Sequence, residues 1–489
     1  MPGSTQTKAR AALGGSLNLL SASEIVRAIA AGEATCEAVV RDCLARIDAR
    51  EGSVHAWASL DPELAVRRAR ELDRASSRGP LHGVPIGVKD IIDTADLPTE
   101  MGSPIYRGHR PTTDATCVAL LRDAGAVILG KTVTCEFAGM TPGPTTNPHN
   151  PAHTPGGSSS GSGAAVADFM VPAALGTQTG GSVLRPASYC GVFGFKPTFG
   201  AFNRRGVYPA AESLDTIGLL ARSLDDIELI STVLELRTAP SPPSLASGGS
   251  GAGRLDRPPR VGVCRTPMWD KAQPETAAAV EDAAQRLRAA GAQVSEIVLP
   301  DEFSGLRHAA RETINNYERA AAMAHEWNTD RDRISERLAK RIAIGRAMAH
   351  PDYVNALRLG ESCRAQLPQM FADVDVLLAP CVNGEAPRGL NETGDPGFQA
   401  IWTILHVPAL TLPTHRGPNG LPVGIQLVGQ RWAGSGAPPL RALDLGHTRR
   451  AATGGCARVD KHRHARPCAG HPRLSFPQQR RGWPGQARP

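Results

Sequence analysis

No run of apolar residues in this sequence approaches the roughly 18–20 needed to cross a bilayer, so no membrane-spanning helix is expected. Regular cysteine spacing is also missing. The 10 cysteines include no C-x-x-C pair, so the chain carries no disulfide framework. Met1 to Gly15 contain Lys8 and Arg10 but no apolar core, so no signal peptide is expected and a cytoplasmic location is. No internal repeat is evident. What remains is ordinary for a globular protein: 489 residues, 41% hydrophobic and 21% charged. That excludes collagen-like, coiled-coil and wholly disordered readings. A chain of this length buries about three quarters of its unfolded surface, so it needs neither disulfides nor a metal to stay folded. Its 51 glycines and 40 prolines predict many turns.

A formal net charge of +7 invites a nucleic-acid or membrane-surface role. The location of the charge removes that reading. Residues 433–489 hold 11 Lys+Arg against 2 Asp+Glu, whereas residues 1–432 hold 43 against 45. The body is near neutral at −2, and the excess of +9 resides in the last 57 residues. Neither a nucleic acid nor a membrane is expected as a partner.

Ser21 and Glu24 stand at capping-box spacing. Ile25, Val26 and Ile29 form an apolar stripe that Gly32 can end. A second helix is predicted from Thr35 to Arg50, with Val39, Val40, Cys43, Leu44 and Ile47 on one face. A third, charged and superficial, is predicted from Glu63 to Arg78. Together these make a helical N-terminal layer after a disordered segment, 1–15. Val84 to Ile92 is a β-branched apolar run, read as a buried strand. The pattern then predicts a helix over 114–124, a strand from Ala126 to Leu129, an irregular segment from Thr141 to Gly163, a helix over 163–170 and a strand over 171–176. Later come a strand at Arg260–Arg265, a helix at Pro274–Ala290 and a strand at Val294–Leu299. This alternation indicates the α/β class, with a sheet covered by helices on both faces. Residues 239–259, rich in Pro, Ser and Gly, predict a flexible insertion loop, because the strand–helix pattern resumes unchanged after them.

Three features carry potential chemistry. Lys89 is the only charge between His82 and Asp90 in an apolar stretch. Desolvation there favours the neutral amine, which can act as a general base; the plainer alternative is a strand-end lysine that snorkels to solvent. The other two are the glycine-serine runs Thr154–Gly163 and Gln178–Ala187. Such runs are usually linkers, but both lie between apolar segments that read as core. Neither is G-x-G-x-x-G or ends in Gly-Lys-Ser/Thr, so phosphate cradling fails in detail. The G-x-S-x-G elbow is not matched in its strand–turn–helix context. A serine nucleophile remains: Gly180-Gly181 before Ser182 can turn sharply and present consecutive N–H donors, and a lysine can replace histidine as the base.

GVPIGVKD (83–90), TPGGSSSGSGAAVA (154–167) and TGGSVLRPAS (179–188), in that order, resemble the amidase signature family. GKTVTCEFAGM (130–140), TNPHNPAHTPGG (146–157) and the segment Leu410 to Trp432 resemble it too. The resemblance covers roughly residues 20 to 432 and implies an amidase domain over 16–432, built on a large mixed twisted sheet. It implies a Ser–cis-Ser–Lys triad: Ser182 as nucleophile, Ser158 as bridge after a non-proline cis peptide, Lys89 as base. Backbone N–H groups from Thr179 through Gly180 and Gly181 to Ser182 are the implied oxyanion hole. The implied reaction is hydrolysis of a carboxamide in a small-molecule substrate through an acyl-enzyme, with no metal or other cofactor. A homodimer is left open. Residues from Asn383 to Trp402 are implied to line part of the pocket.

Two positions depart from the family pattern: Gln178 stands where many members have aspartate, and Ser160 where many have glycine. His149 and His153 could mimic an i, i+4 metal pair but lie in a Pro/Asn-rich loop, where ligation is not expected. After Trp432 the family pattern stops. Residues 433–489 read as a disordered basic tail; Cys456, His462, His464, Cys468 and His471 match no usual zinc finger. A reading-frame shift in a GC-rich gene would explain it. Two further functions therefore stand beside the hydrolase: an amidotransferase A-type subunit releasing ammonia from glutamine, and an inactive or unstable product of a frameshifted gene.

Overall fold

The computed structural model describes residues 15–235 and 257–431. The expectations for a disordered N-terminus, for most of the 239–259 loop and for the tail at 433–489 lie outside the described residues.

Eleven strands form one sheet: β1 (Trp57–Leu60), β2 (Pro85–Lys89), β3 (Val127–Thr132), β4 (Ala173–Gln178), β5 (Phe193–Lys196), β6 (Thr216–Ala221), β7 (Arg260–Val263), β8 (Gln293–Glu296), β9 (Val376–Pro380), β10 (Ala409–Arg416) and β11 (Pro422–Val428). Their order is β1-β3-β2-β4-β6-β5-β10-β11-β9-β7-β8. The sheet is mixed. β2 runs parallel to β3 and β4, and β7 parallel to β8 and β9, while the centre from β4 through β11 is antiparallel. Helices flank it, and the α/β class expected from the sequence holds.

The N-terminal layer follows local rules. Ser21 caps the helix Ala22–Ala30 through the full capping box with Glu24. The second helix spans Cys36–Val54, one turn longer than expected, and the αL conformation of His55 ends it. The third, Pro62–Arg74, stops short of Arg78. It is not merely superficial, because Ala65, Val66 and Ala69 are buried. Strand β1 lies between these last two helices.

Burial overrides local propensity near the glycine-serine runs. The helix expected over 163–170 begins at Ser160 and ends at Ala167. Ser-Gly-Ser-Gly is a poor helical sequence in isolation. Here Gly161 is used for close approach: a Cβ on it would lie 2.2 Å from the Ala56 carbonyl oxygen and 2.4 Å from the Val133 nitrogen. Its N–H donates to the Val133 carbonyl at 3.0 Å. The next strand, β4, runs to Gln178 rather than 176. Among the described residues, no helix is long and apolar enough to cross a membrane.

Candidate active site

Because β2 and β4 are parallel neighbours, paired at Val88↔Leu175, their C-terminal ends lie at the same edge of the sheet. Lys89 is the last residue of β2, and Thr177 and Gln178 end β4. The Lys89 side chain is fully buried. Its Nζ donates to Ser158 Oγ at 2.8 Å, to Thr177 Oγ1 at 2.7 Å and to the Thr177 carbonyl at 3.4 Å. Burial pulls its pKa down to about 7; Cys135 and Asp215 oppose that fall and Arg319 reinforces it. The snorkelling alternative is thereby ruled out.

Two other buried lysines show what is particular to Lys89. Lys131 pairs with the buried Asp90 carboxylate at 3.1 Å and donates to Thr99 Oγ1 and the Pro98 carbonyl. Lys196 is also desolvated to a pKa of about 7, but it donates to the carbonyls of Pro197 and Val407. Lys89 has no carboxylate bonded to it among the described residues, and two of its three partners are hydroxyls.

Ser158 is buried, and the Gly157–Ser158 peptide is cis. The Gly157 carbonyl accepts from Arg185 Nη2 at 2.7 Å, and the Ser158 carbonyl from the Cys135 N–H at 3.1 Å. Ser159 ties the first run to β4 and to the second run. Its Oγ accepts from the Thr177 N–H, and its own N–H donates to the Ser182 carbonyl, both at 3.3 Å. Lys89 and Ser158 are thus joined directly. Ser182, half-buried, reaches them through this backbone contact, and its hydroxyl has no protein hydrogen bond among the described residues.

The loop before Ser182 leaves donors open. Among the described residues, no protein acceptor takes the backbone N–H of Thr179, Gly180, Gly181 or Ser182. The next two are occupied: Gln178 Oε1 accepts from Val183 N–H at 2.9 Å and Leu184 N–H at 3.1 Å, capping the helix Leu184–Cys190. Gln178 Nε2 donates to Thr403 Oγ1, and Thr403 Oγ1 donates to the Gly180 carbonyl at 2.7 Å. Thr179 Oγ1 donates to Asp215 Oδ1 at 2.5 Å, and the other Asp215 oxygen accepts from Ala210 and Ala211 N–H. Burial raises the Asp215 carboxyl pKa against the lowering effect of those bonds. A side chain at either position before Ser182 would displace the end of a neighbouring side chain. A Cβ on Gly180 would meet Arg311 Nη2 at 2.5 Å, and one on Gly181 would meet Gln399 Oε1 at 2.5 Å.

Thr177, Asp215, Arg311, Gln399 and Thr403 escaped the sequence reading, although the last two lie inside the implied pocket segment 383–402 or just past it. Only the motif-like run ESLDTIG around Asp215 offered a signal, and one sequence does not assign it a role. The departures resolve locally. Gln178 acts as a helix cap, and Ser160 Oγ donates to the Val133 carbonyl at 3.3 Å. His149 Nε2 and His153 Nδ1 each bond a backbone carbonyl, of Cys190 and Ala386, at 2.8 and 2.7 Å.

The Amidase family profile matches residues 38–435. The glutamyl-tRNA(Gln) amidotransferase A-type subunit of Acidobacterium capsulatum is 33% identical, over 83% of this chain and 94% of that protein. AtzE of Pseudomonas sp. strain ADP, which belongs to 1-carboxybiuret hydrolase, is 34% identical, over 84% and 94%. The solved native peptide amidase from Stenotrophomonas maltophilia is 30% identical with a TM-score of 0.74, covering 88% of this chain and 98% of that one. With its ordered motifs, its sheet and the match across most of its length, this chain belongs to the amidase signature family, whose enzymes act on carbon–nitrogen amide bonds.

Proposed function

We propose that the chain is an amidohydrolase that cleaves the carboxamide of a small, cytoplasmic molecule through a Ser182 acyl-enzyme, with Ser158 as relay and Lys89 as base. The observation that carries this reading is the 2.8 Å contact between Lys89 Nζ and Ser158 Oγ, made by a lysine whose pKa is pulled down to about 7. A neutral amine there has two N–H bonds to give to Thr177 and one lone pair to accept the Ser158 proton. Ser158 then takes the Ser182 proton while Ser182 Oγ attacks the amide carbonyl. The tetrahedral oxyanion lies against the open N–H groups of Thr179 to Ser182. As the C–N bond breaks, the proton returns through Ser158 to the leaving amine. Water attacks the acyl-enzyme by the same relay, releasing the carboxylic acid and restoring Ser182.

Ser182→Ala and Lys89→Ala are each expected to lower kcat by about 10³-fold or more, in line with other serine triads. Near-normal turnover in either variant, measured as ammonia release, would overturn the assignment. The second reading is an amidotransferase A-type subunit that releases ammonia from glutamine. It is favoured by the amidotransferase relatives. Co-purification with partner subunits, together with glutaminase activity above that on other amides, would establish it instead.

A further inference from the structure

Four arginines are buried among the described residues: Arg185, Arg222, Arg311 and Arg319. Three of them donate to backbone carbonyls, although Arg185 Nε and Nη1 are left without a partner. Arg185 donates to Gly157, Arg222 to Val171 and Asn18, and Arg319 to Phe137. Arg311 is 9% exposed and donates to nothing among the described residues; its Nε is buried without a partner. A guanidinium withdrawn from water and left unpaired is costly, so its position calls for a ligand rather than a structural role. It sits on a π-helical turn, Arg307–Glu312, and its Nη2 would lie 2.5 Å from a Cβ on Gly180, in the loop with the open N–H groups. Its surroundings do not neutralise it. Arg341, Arg185 and Arg319 add like charge and Glu312 opposes them, and burial holds its pKa down to about 10.

We propose that Arg311 binds a carboxylate carried on the acyl part of the substrate, so that the preferred substrates are monoamides of dicarboxylic acids. The planar fork of a guanidinium matches the two oxygens of a carboxylate. The acyl side follows from the relay: the leaving nitrogen must face Ser158, which returns its proton, and Arg311 lies instead against Gly180 of the loop that receives the carbonyl oxygen. This rests on the hydrolase reading for the substrate's orientation, but binding of a carboxylate does not require turnover.

Two measurements test it. First, the Ser182→Ala chain is titrated with succinate and glutarate by calorimetry. Binding is expected to weaken at least about tenfold when Arg311→Gln is added, with Arg311→Lys between the two. No binding at millimolar concentration, or equal affinity without Arg311, overturns the proposal whatever the fate of the hydrolase reading. Second, the ratio of kcat/KM for succinamate over its neutral isostere 4-oxopentanamide is measured. The unmodified chain is expected to favour succinamate at least about tenfold. In Arg311→Gln the succinamate value is expected to fall much further than that of 4-oxopentanamide, so that the ratio collapses, and in Arg311→Lys the ratio is expected to survive in part. A fall of both rates in step marks a structural role and overturns the proposal. Hydrolysis of 4-oxopentanamide with no preference for succinamate keeps the hydrolase and removes the carboxylate subsite. Should Arg311→Gln fail to fold, the preference of the unmodified chain and the Arg311→Lys titration still decide.

Discussion

At the scale of single residues, the decisive property is the protonation state of Lys89. Burial is the largest influence on it, and the charged form is the one disfavoured. In the proposed mechanism the base is the neutral amine, so activity is expected to be lost as pH falls through the pKa and regained as it rises. The kcat/KM of a neutral amide is therefore expected to climb through about pH 7 and level off above it. A profile flat from pH 5.5 to 8.5 would contradict this. Thr177 adjusts the same group, because its hydroxyl accepts from Nζ at 2.7 Å. Removing an acceptor takes support from the ammonium form, so Thr177→Val is expected to move the acidic limb to lower pH. The lysine also loses its aim at Ser158, and kcat should fall by about tenfold or more. Burial of Lys89 was legible in the sequence, because the residues around it are apolar. Its bond to Thr177 was not, because the two are 88 residues apart.

At the scale of elements, the site is a junction of two strand ends and two helix starts. The helix Ser160–Ala167 depends on an absent side chain. Gly161→Ala places a methyl within 2.2 Å of the Ala56 carbonyl, and the helix must move or the strands must. A loss of about 3 kcal/mol is expected in chemical denaturation, and a value near zero would show that the packing yields. The helix Leu184–Cys190 depends on Gln178. Gln178→Ala leaves two buried N–H groups without an acceptor and frees Thr403, which holds the Gly180 carbonyl. A stability loss of about 1–3 kcal/mol is expected, together with a fall in kcat because the open donors lose their anchor. Unchanged stability would remove Gln178 from its capping role. Helix starts with local caps, such as Ser21 with Glu24, were readable because both partners lie within one turn. The cap on Leu184–Cys190 was not, because it comes from the preceding strand.

At the scale of the molecule, what was legible follows from where the information lies. The flanking helices of the N-terminal layer and the strands β2, β3 and β4 showed themselves through periodicity or apolar runs. Strands β5, β6, β9 and β11 are buried at every residue, as β2, β3 and β4 are, and a short apolar run does not by itself separate a buried strand from a buried helix segment. The antiparallel centre of the sheet was accordingly missed. Ordered motifs gave the candidate residues Lys89, Ser158 and Ser182, the last two within the glycine-serine runs. Their supporting groups come from far along the chain: Asp215 is 36 residues from Thr179, and Thr403 is 223 from Gly180. No local pattern encodes such pairs.

The claim that joins these scales is that Lys89, through Ser158, activates Ser182. The most direct measurement is the rate at which a fluorophosphonate probe modifies the full chain, followed across pH by mass spectrometry with the site mapped. The account predicts a single adduct on Ser182, a rate rising through about pH 7, and a loss of about 10³-fold in Lys89→Ala. An adduct on another residue, or equal rates with and without Lys89, would contradict it.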